Sequence, residues 1–267
     1  MKNPQPVVIA SPWNSLKRFT DARIALGRAG HSLPTAAHLD FQLAHAQARD
    51  AVHLPLDALG VADSLEALGL TTLRAHSAAI DRATYLQRPD RGRKLDQRSR
   101  DLLTDWAASH ADSPRCDVAF VVADGLSALA IHKNAAPLLA ALGSRLQGDA
   151  QFPWSIGPVV VVEQGRVAIG DEVGELLQAK AVAVLIGERP GLSSPDSLGI
   201  YLTWGPHVGC NDAQRNCISN VRPAGLPCEA AAAKLHQLLQ RSRTLQLTGV
   251  GLKDESEVPE TGRVEGQ

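Results

Sequence analysis

AVAVLIGERPGLSSPDSLGIYLTWGPHVGCNDAQRNCISN, residues 181–220, is the stretch whose reading decides the fold. Ala181 to Ile186 is an uninterrupted apolar run, too short for a free-standing helix, and it stops at Gly187-Glu188-Arg189-Pro190-Gly191. Such a run closed by Gly and Pro reads as a buried strand followed by a loop. In open α/β sheets ligands sit in the crevice beyond the carboxyl ends of the strands. The loop offers one carboxylate, one guanidinium and several backbone groups, so Gly187, Glu188 and Arg189 are candidate ligand contacts. The competing reading is a local surface ion pair between Glu188 and Arg189, which is worth little energetically.

Working outward, the pattern of that strand recurs. Asp117 to Ala123 (DVAFVVA) is β-branched and aromatic and ends at Asp124-Gly125, and Gly157 to Glu163 (GPVVVVE) and Gly199 to Thr203 read the same way. Between the strands, Leu126 to Leu146 and Asp171 to Ala179 carry helical spacing, as does Cys228 to Arg241, while Val167 to Ile169 reads as a short extended piece. Strands alternating with helices predict an α/β fold with a Rossmann-like, parallel-rich sheet over residues 114–252. The second strand-end turn, Asp124-Gly125-Leu126-Ser127, is either a helix cap or, through free amides and the Ser127 hydroxyl, an anion or amide-binding site.

Residues 13–113 differ in character. They are Ala-, Leu- and Arg-rich, with apolar residues at helical spacing, as in Leu39, Leu43 and Ala46, and they predict several short helices broken near Gly27-Gly30, Leu54-Pro55, Gly60 and Gly69. Ser64 with Asp63 and Glu66 reads as a helix start. Residues 1–12 hold three prolines and read as an irregular leader, with order beginning near Trp13. The polar tail 253–267 reads as disordered. Along Arg88–Arg100 a basic run interrupted by Asp90 and Asp96 reads as a solvated helix face, or else as a partner contact.

A chain of 267 residues that is 44% hydrophobic fills a genuine core. Its formal net charge of −1 provides no general positive field for nucleic acid or acidic membrane. No apolar run approaches the roughly 20 residues of a membrane helix, and the start of the chain lacks a signal-peptide pattern, so a cytoplasmic protein is expected. The four cysteines, Cys116, Cys210, Cys217 and Cys228, form no C-x2-C pair and read as reduced thiols, with Cys217 by default a small buried residue. There is no phosphate-binding G-x-x-x-x-G-K-[ST], no G-x-G-x-x-G, no G-x-S-x-G and no H-E-x-x-H, and the nine histidines give no metal-like pairing. Neither a catalytic residue nor a metal ligand is therefore assigned.

Seven blocks, in order, carry a resemblance to one family: Thr20–Gly30, Phe41–Val52, Tyr85–Leu95, Ala123–Ser127, Gly165-Arg166-Val167, Val184–Leu192 and Cys217-Ile218-Ser219-Asn220. Together they resemble the small (light) subunit of ethanolamine ammonia-lyase over nearly the whole chain. The resemblance implies an adenosylcobalamin-dependent lyase that converts ethanolamine to acetaldehyde and ammonia, active only with a large subunit that carries the substrate site. It implies six copies of each subunit, with cobalamin held at the interface by contacts that match Val167, Glu188 and Cys217. Enteric members carry a longer leader linked to packing into a bacterial microcompartment, so free cytoplasm and encapsulation both stay open here. A histidine that replaces the cofactor's own base follows Asp-x-His-x-x-Gly, and none of the nine histidines has Asp two positions before it. Base-on binding is expected. The rival readings are an assembly subunit without cofactor contact, whose helical half docks the partner, and a stand-alone nucleotide-binding enzyme. Arg23, Arg28 and Arg88–Lys94 are the expected docking positions.

Overall fold

The computed structural model describes residues 7–111, 115–149 and 153–253. The first six residues of the leader, the expected boundary at Ser113-Pro114 and all of the tail after Lys253 lie outside them. Element order is α1 (Thr35–His53), α2 (Ala58–Glu66), β1 (Thr72–His76), α3 (Arg82–Gln87), α4 (Gln97–Ser109), β2 (Val118–Ala123), α5 (Ala128–Gln147), β3 (Ile156–Glu163), α6 (Ile169–Leu176), β4 (Ala181–Gly187), β5 (Leu198–Trp204), β6 (Arg215–Val221) and α7 (Cys228–Leu245).

The six strands form one sheet in the order β1-β3-β2-β4-β5-β6. β1, β3, β2 and β4 run parallel, and β5 and β6 extend the sheet by antiparallel pairing. Alternate residues face opposite layers. Val118, Phe120 and Val122 of β2 face the core shared with α2, α5 and α7, whereas Ala119, Val121 and Ala123 face the one shared with α4 and α6. All six residues of β2 and all seven of β4 are buried, which is why both read as unbroken apolar runs. Each fully buried Val, Leu, Ile or Phe contributes roughly 1.5–3 kcal/mol by leaving water.

Several expectations need correction. The supposedly all-helical stretch contains β1, which pairs with β3 through Thr72↔Val159 to His76↔Glu163, so this region supplies one of the sheet's two edge strands. Ser64 does not start a helix. It lies inside α2, whose start is capped by Asp57 accepting from the Gly60 amide, and Gly60 is therefore no break. Val167 to Ile169 is not extended but turns directly into α6, which begins at Ile169 rather than Asp171. The basic run is a turn up to Lys94, with helix only from Gln97. Arg215–Val221, unassigned from sequence, is the edge strand β6. Order begins before Trp13, because Ile9 and Arg28 exchange backbone hydrogen bonds of 2.8 and 2.9 Å. All four cysteines are free thiols.

The carboxyl ends of β2 and β4 are held together by a close approach. Leu126 donates its amide to the Gly187 carbonyl at 2.9 Å, and a Cβ on Gly125, whose φ is +55°, would stand 2.2 Å from that same oxygen. Gly125→Ala is therefore expected to destabilise the fold by on the order of 3 kcal/mol. Gly143→Ala in α5, where a Cβ meets nothing within 4 Å, is expected to be neutral or to stabilise by up to ~1 kcal/mol. Urea unfolding of both variants tests the contrast, and equal midpoints would refute it.

Candidate functional site

The crest formed by the strand ends gathers the candidates, and they divide into two groups. Asp124, Gly125, Ser127 and Gly187 form the first. Ser127 is fully buried, accepts from the Ala130 amide at 3.2 Å as the cap of α5, and donates to the Pro195 carbonyl at 2.7 Å. Its hydroxyl is committed to the fold, which is the cap alternative. Gly125 and Gly187 serve the backbone approach described above. Asp124 is 2% exposed, accepts from the Gly165 amide at 3.1 Å and faces Arg82 Nη1 at 3.4 Å. Burial pushes its pKa up to about 6, against the opposing pull of Arg82 and of the Gln164, Gly165 and Gly125 amides.

Arg82 was not legible as a site residue, since nothing in its spacing points across to residue 124. Its Nε donates to the Val52 carbonyl at 2.7 Å, and Nη1 donates to Gly125 O at 2.9 Å and Gln164 Oε1 at 3.1 Å. It thereby ties the end of α1 to the crest. Tyr85 has both Arg82 and Arg166 over its ring, at 4.6 and 4.4 Å. Burial raises its phenol to about 12. Arg82 Nη2 and Arg166 Nε are buried donors without a partner among the described residues.

The second group stands on the face of the sheet that carries α6. Glu188 Oε2 accepts from Ser197 Oγ at 2.5 Å and from the Asn220 amide at 3.2 Å. The Asn220 amide is turned there by a positive φ of 59° beside a register shift between β5 and β6. Ser197 follows from register, because the β4–β5 pairing ends at Gly187↔Leu198 and sets the next residues opposite each other. Glu188 lies over Gly199 beside the Tyr201 ring, since a Cβ on Gly199 would meet Glu188 Oε1 at 3.0 Å and Tyr201 Cε2 at 3.3 Å. Tyr201 pairs across the strands with Cys217. Burial raises the Tyr201 phenol to about 12, with Cys217 and Glu188 adding to it, so it stays neutral. Contrary to the buried default, Cys217 is exposed, although partial burial, with Glu188 adding, still pushes its thiol up against the opposing hydrogen bond with Tyr201. Val167, half-buried in the turn before α6, packs against the core that Tyr201 also borders. Arg189 is exposed, and no ion pair joins it to Glu188 among the described residues. The local-pair reading is thus not what the loop forms.

A buried ion pair holds this face in register. Arg215 donates to both oxygens of Asp171, at 2.5 and 2.7 Å, and also to Thr203 Oγ1 and the Cys210 carbonyl, both at 3.0 Å. Asp171 sits in the first turn of α6, one turn after Val167, and Arg215 is two residues before Cys217 on the same face of β6. The three residues matched by resemblance, Val167, Glu188 and Cys217, accordingly share one side of the crest. Val167 and Glu188 are half-buried there and Cys217 is exposed. A groove of about 770 Å³ lies elsewhere, between α2 and α4 along β1, and contains none of the eight candidates. Among the described residues no three His, Cys, Asp or Glu side chains converge as a metal site, and no helix is long and apolar enough to cross a membrane.

The family model described as Ethanolamine ammonia-lyase light chain matches residues 10–253. Curated relatives named Ethanolamine ammonia-lyase small subunit include one from Ralstonia nicotianae, 59% identical over 96% of this chain and 94% of its own length. Another, from Azotobacter vinelandii, is 58% identical over 93% of this chain and 90% of its own. One from Pseudomonas aeruginosa is 56% identical over 93% and 89%.

Asp171→Ala would leave Arg215, 2% exposed at its side chain, buried and without its bidentate partner, with only the exposed Asp212 carboxylate 3.6 Å from its Nε. We expect a loss of about 3–5 kcal/mol in urea unfolding; a change below ~1 kcal/mol would show the pair to be dispensable. For Asp124, with a folded pKa near 6 above the usual carboxylate value, the folded chain binds the extra proton between roughly pH 4 and 6. Stability is therefore lost as pH rises through that window, by up to about 3 kcal/mol. Relative to Asp124→Asn, the unsubstituted chain should weaken by that order from pH 4.5 to 7, and a difference that stays constant with pH would sink the assignment.

Proposed function

The chain belongs to the ethanolamine ammonia-lyase light-chain family, and from that premise we propose that it holds adenosylcobalamin against a large subunit, in the enzyme that converts ethanolamine to acetaldehyde and ammonia. The observation that carries the cofactor assignment is the pre-oriented Glu188 carboxylate on an open crest, with exposed Cys217 beside it and Val167 on the same face. A corrinoid is rimmed with amides and carries a phosphodiester and a ribose on its tail, and this shelf suits that chemistry. Glu188 supplies an acceptor for amide N–H or hydroxyl, the exposed Arg189 a donor for phosphate, and Val167 apolar contact. Cys217 is small enough for close approach. The buried donors left over on Arg82 and Arg166 add acceptor-seeking groups near the same crest.

When bound, adenosylcobalamin supplies the radical chemistry, while protein groups bind and orient it. Glu188 is fixed by Ser197 and Asn220 before any ligand arrives, so little ordering cost remains at binding. Tyr201, neutral throughout the working pH range, forms the wall behind that carboxylate. No residue of this chain is assigned to proton transfer or nucleophilic attack, and turnover is ascribed to the assembled enzyme. The absence of an Asp-x-His-x-x-Gly sequence supports base-on binding.

Glu188→Ala, assembled with the large subunit, is expected to weaken adenosylcobalamin binding by about tenfold or more, the loss of one charged hydrogen-bond acceptor. Absorbance titration reads the affinity, and size-exclusion chromatography checks that assembly is intact. If the complex forms and binds cofactor unchanged, the crest is not the cofactor site and the chain is an assembly subunit.

A further inference from the structure

We propose that the loop closed by Ile9 and Arg28 is a docking surface for the large subunit, with Trp13, Leu16 and Phe19 as its apolar row. The inference rests on the reading that the chain works beside such a subunit. Asn14–Phe19 is a 3-10 helix, and none of its six residues is buried. Side chains three apart eclipse one another in that geometry, so Trp13, Leu16 and Phe19 stand in a single row. They are 66%, 40% and 67% exposed. Together they present roughly 400 Å² of apolar side-chain surface, about half of what one partner contributes to an interface of standard size.

The row is nevertheless held in place. The Ile9–Arg28 pair closes the loop, and Gly27 makes that closure possible, because its φ is +77° and a Cβ there would meet the Ile9 carbonyl at 2.6 Å. A second tie comes from Arg23, which reaches the Leu192 carbonyl at 3.3 Å and Ser193 Oγ at 3.5 Å. Leu192 and Ser193 belong to the β4–β5 connection that starts at Glu188. The loop is therefore continuous with the crest, and the crest is where the proposed cofactor meets the large subunit. That continuity favours the large subunit as occupant over a second copy of this chain. Trp is the residue type most enriched among interface positions that dominate affinity, and Trp13 is the expected anchor.

The test mixes full-length chain with its large subunit and measures association by analytical ultracentrifugation. The triple variant Trp13→Ser, Leu16→Ser, Phe19→Ser is expected to associate about a hundredfold more weakly. Its thermal unfolding alone should stay within about 2 °C of the parent, since these side chains bury little in their own chain. As a second readout on intact protein, Trp13 emission, isolated by difference from Trp13→Phe, should shift to the blue on complex formation. Unchanged association of the triple variant, or unshifted Trp13 emission in a formed complex, overturns the inference and leaves the functional reading standing. Failure of the parent chain itself to associate overturns both. A parent that is dimeric alone, with a monomeric triple variant that still binds the large subunit normally, assigns the row to a second copy instead.

Discussion

The crest depends on the buried pair between Asp171 and Arg215. Each partner lies within one or two structural steps of a proposed cofactor contact: Val167 precedes Asp171 by one helical turn, and Cys217 follows Arg215 by one strand repeat. A carboxylate in the first turn of α6 also meets the positive end of the helix dipole, so the pair and the helix end support each other. Taking two charges out of water is expensive, and the geometry meets that cost with two bonds between the ions and further bonds from Arg215 to Thr203 and Cys210. A well-packed apolar pair would stabilise the fold as well or better. What the ions add is direction: a bidentate guanidinium–carboxylate contact fixes both distance and rotation of α6 against β6, which apolar packing fixes less sharply.

A second constraint is the uneven cover on the sheet. β5 and β6 contribute Leu198, Ile200, Leu202, Ile218 and Val221 to the core beneath α7, while their other face carries half-buried Tyr201 and exposed Cys217. The antiparallel addition of β5 and β6 explains this. Parallel strands joined by crossover helices acquire cover on both faces, whereas strands added by hairpin connections bring no helix with them. α6 covers only the far end of this face, where Thr203 and Arg215 are buried, and the open part around Tyr201 and Cys217 is thus a product of topology and lies beside the strand-end loop that carries Glu188. An open face of this kind would leave one side of the proposed ligand uncovered, as the proposal of a site completed by a second chain requires.

How far this was legible from sequence follows from burial. β2, β3 and β4 stood out because strands covered on both faces are apolar throughout, and the α/β class and the position of Glu188 followed from them. The edge strands did not stand out. β1 reads Thr-Leu-Arg-Ala-His and β6 reads Arg-Asn-Cys-Ile-Ser-Asn-Val, each with polar residues facing outward and too short for alternation to register. Within the site, Glu188 was visible as a charge stopped by Pro and Gly, but Ser197 and Asn220, which orient it, appear only once strand register is known. Ser127 shows the converse: its sequence context allowed a cap or a ligand contact, and the choice was made by the Pro195 carbonyl, 68 residues away in the chain.

Arg82 carries the same lesson to the level of coupling. One guanidinium binds the Val52 carbonyl near the end of α1, the Gly125 carbonyl at the end of β2 and the Gln164 side chain after β3, and faces buried Asp124. With Asp124 raised toward pH 6 by burial, Arg82 is also what keeps it ionised near neutrality. The N-terminal helices and the crest therefore share one charged node, while Arg23 joins the N-terminal loop to the connection after Glu188. A partner that pressed on the N-terminal segment would act on both ties. The helical region is in this sense the side wall of the crest, and its two arginines link the surface proposed for docking to the residues proposed for binding.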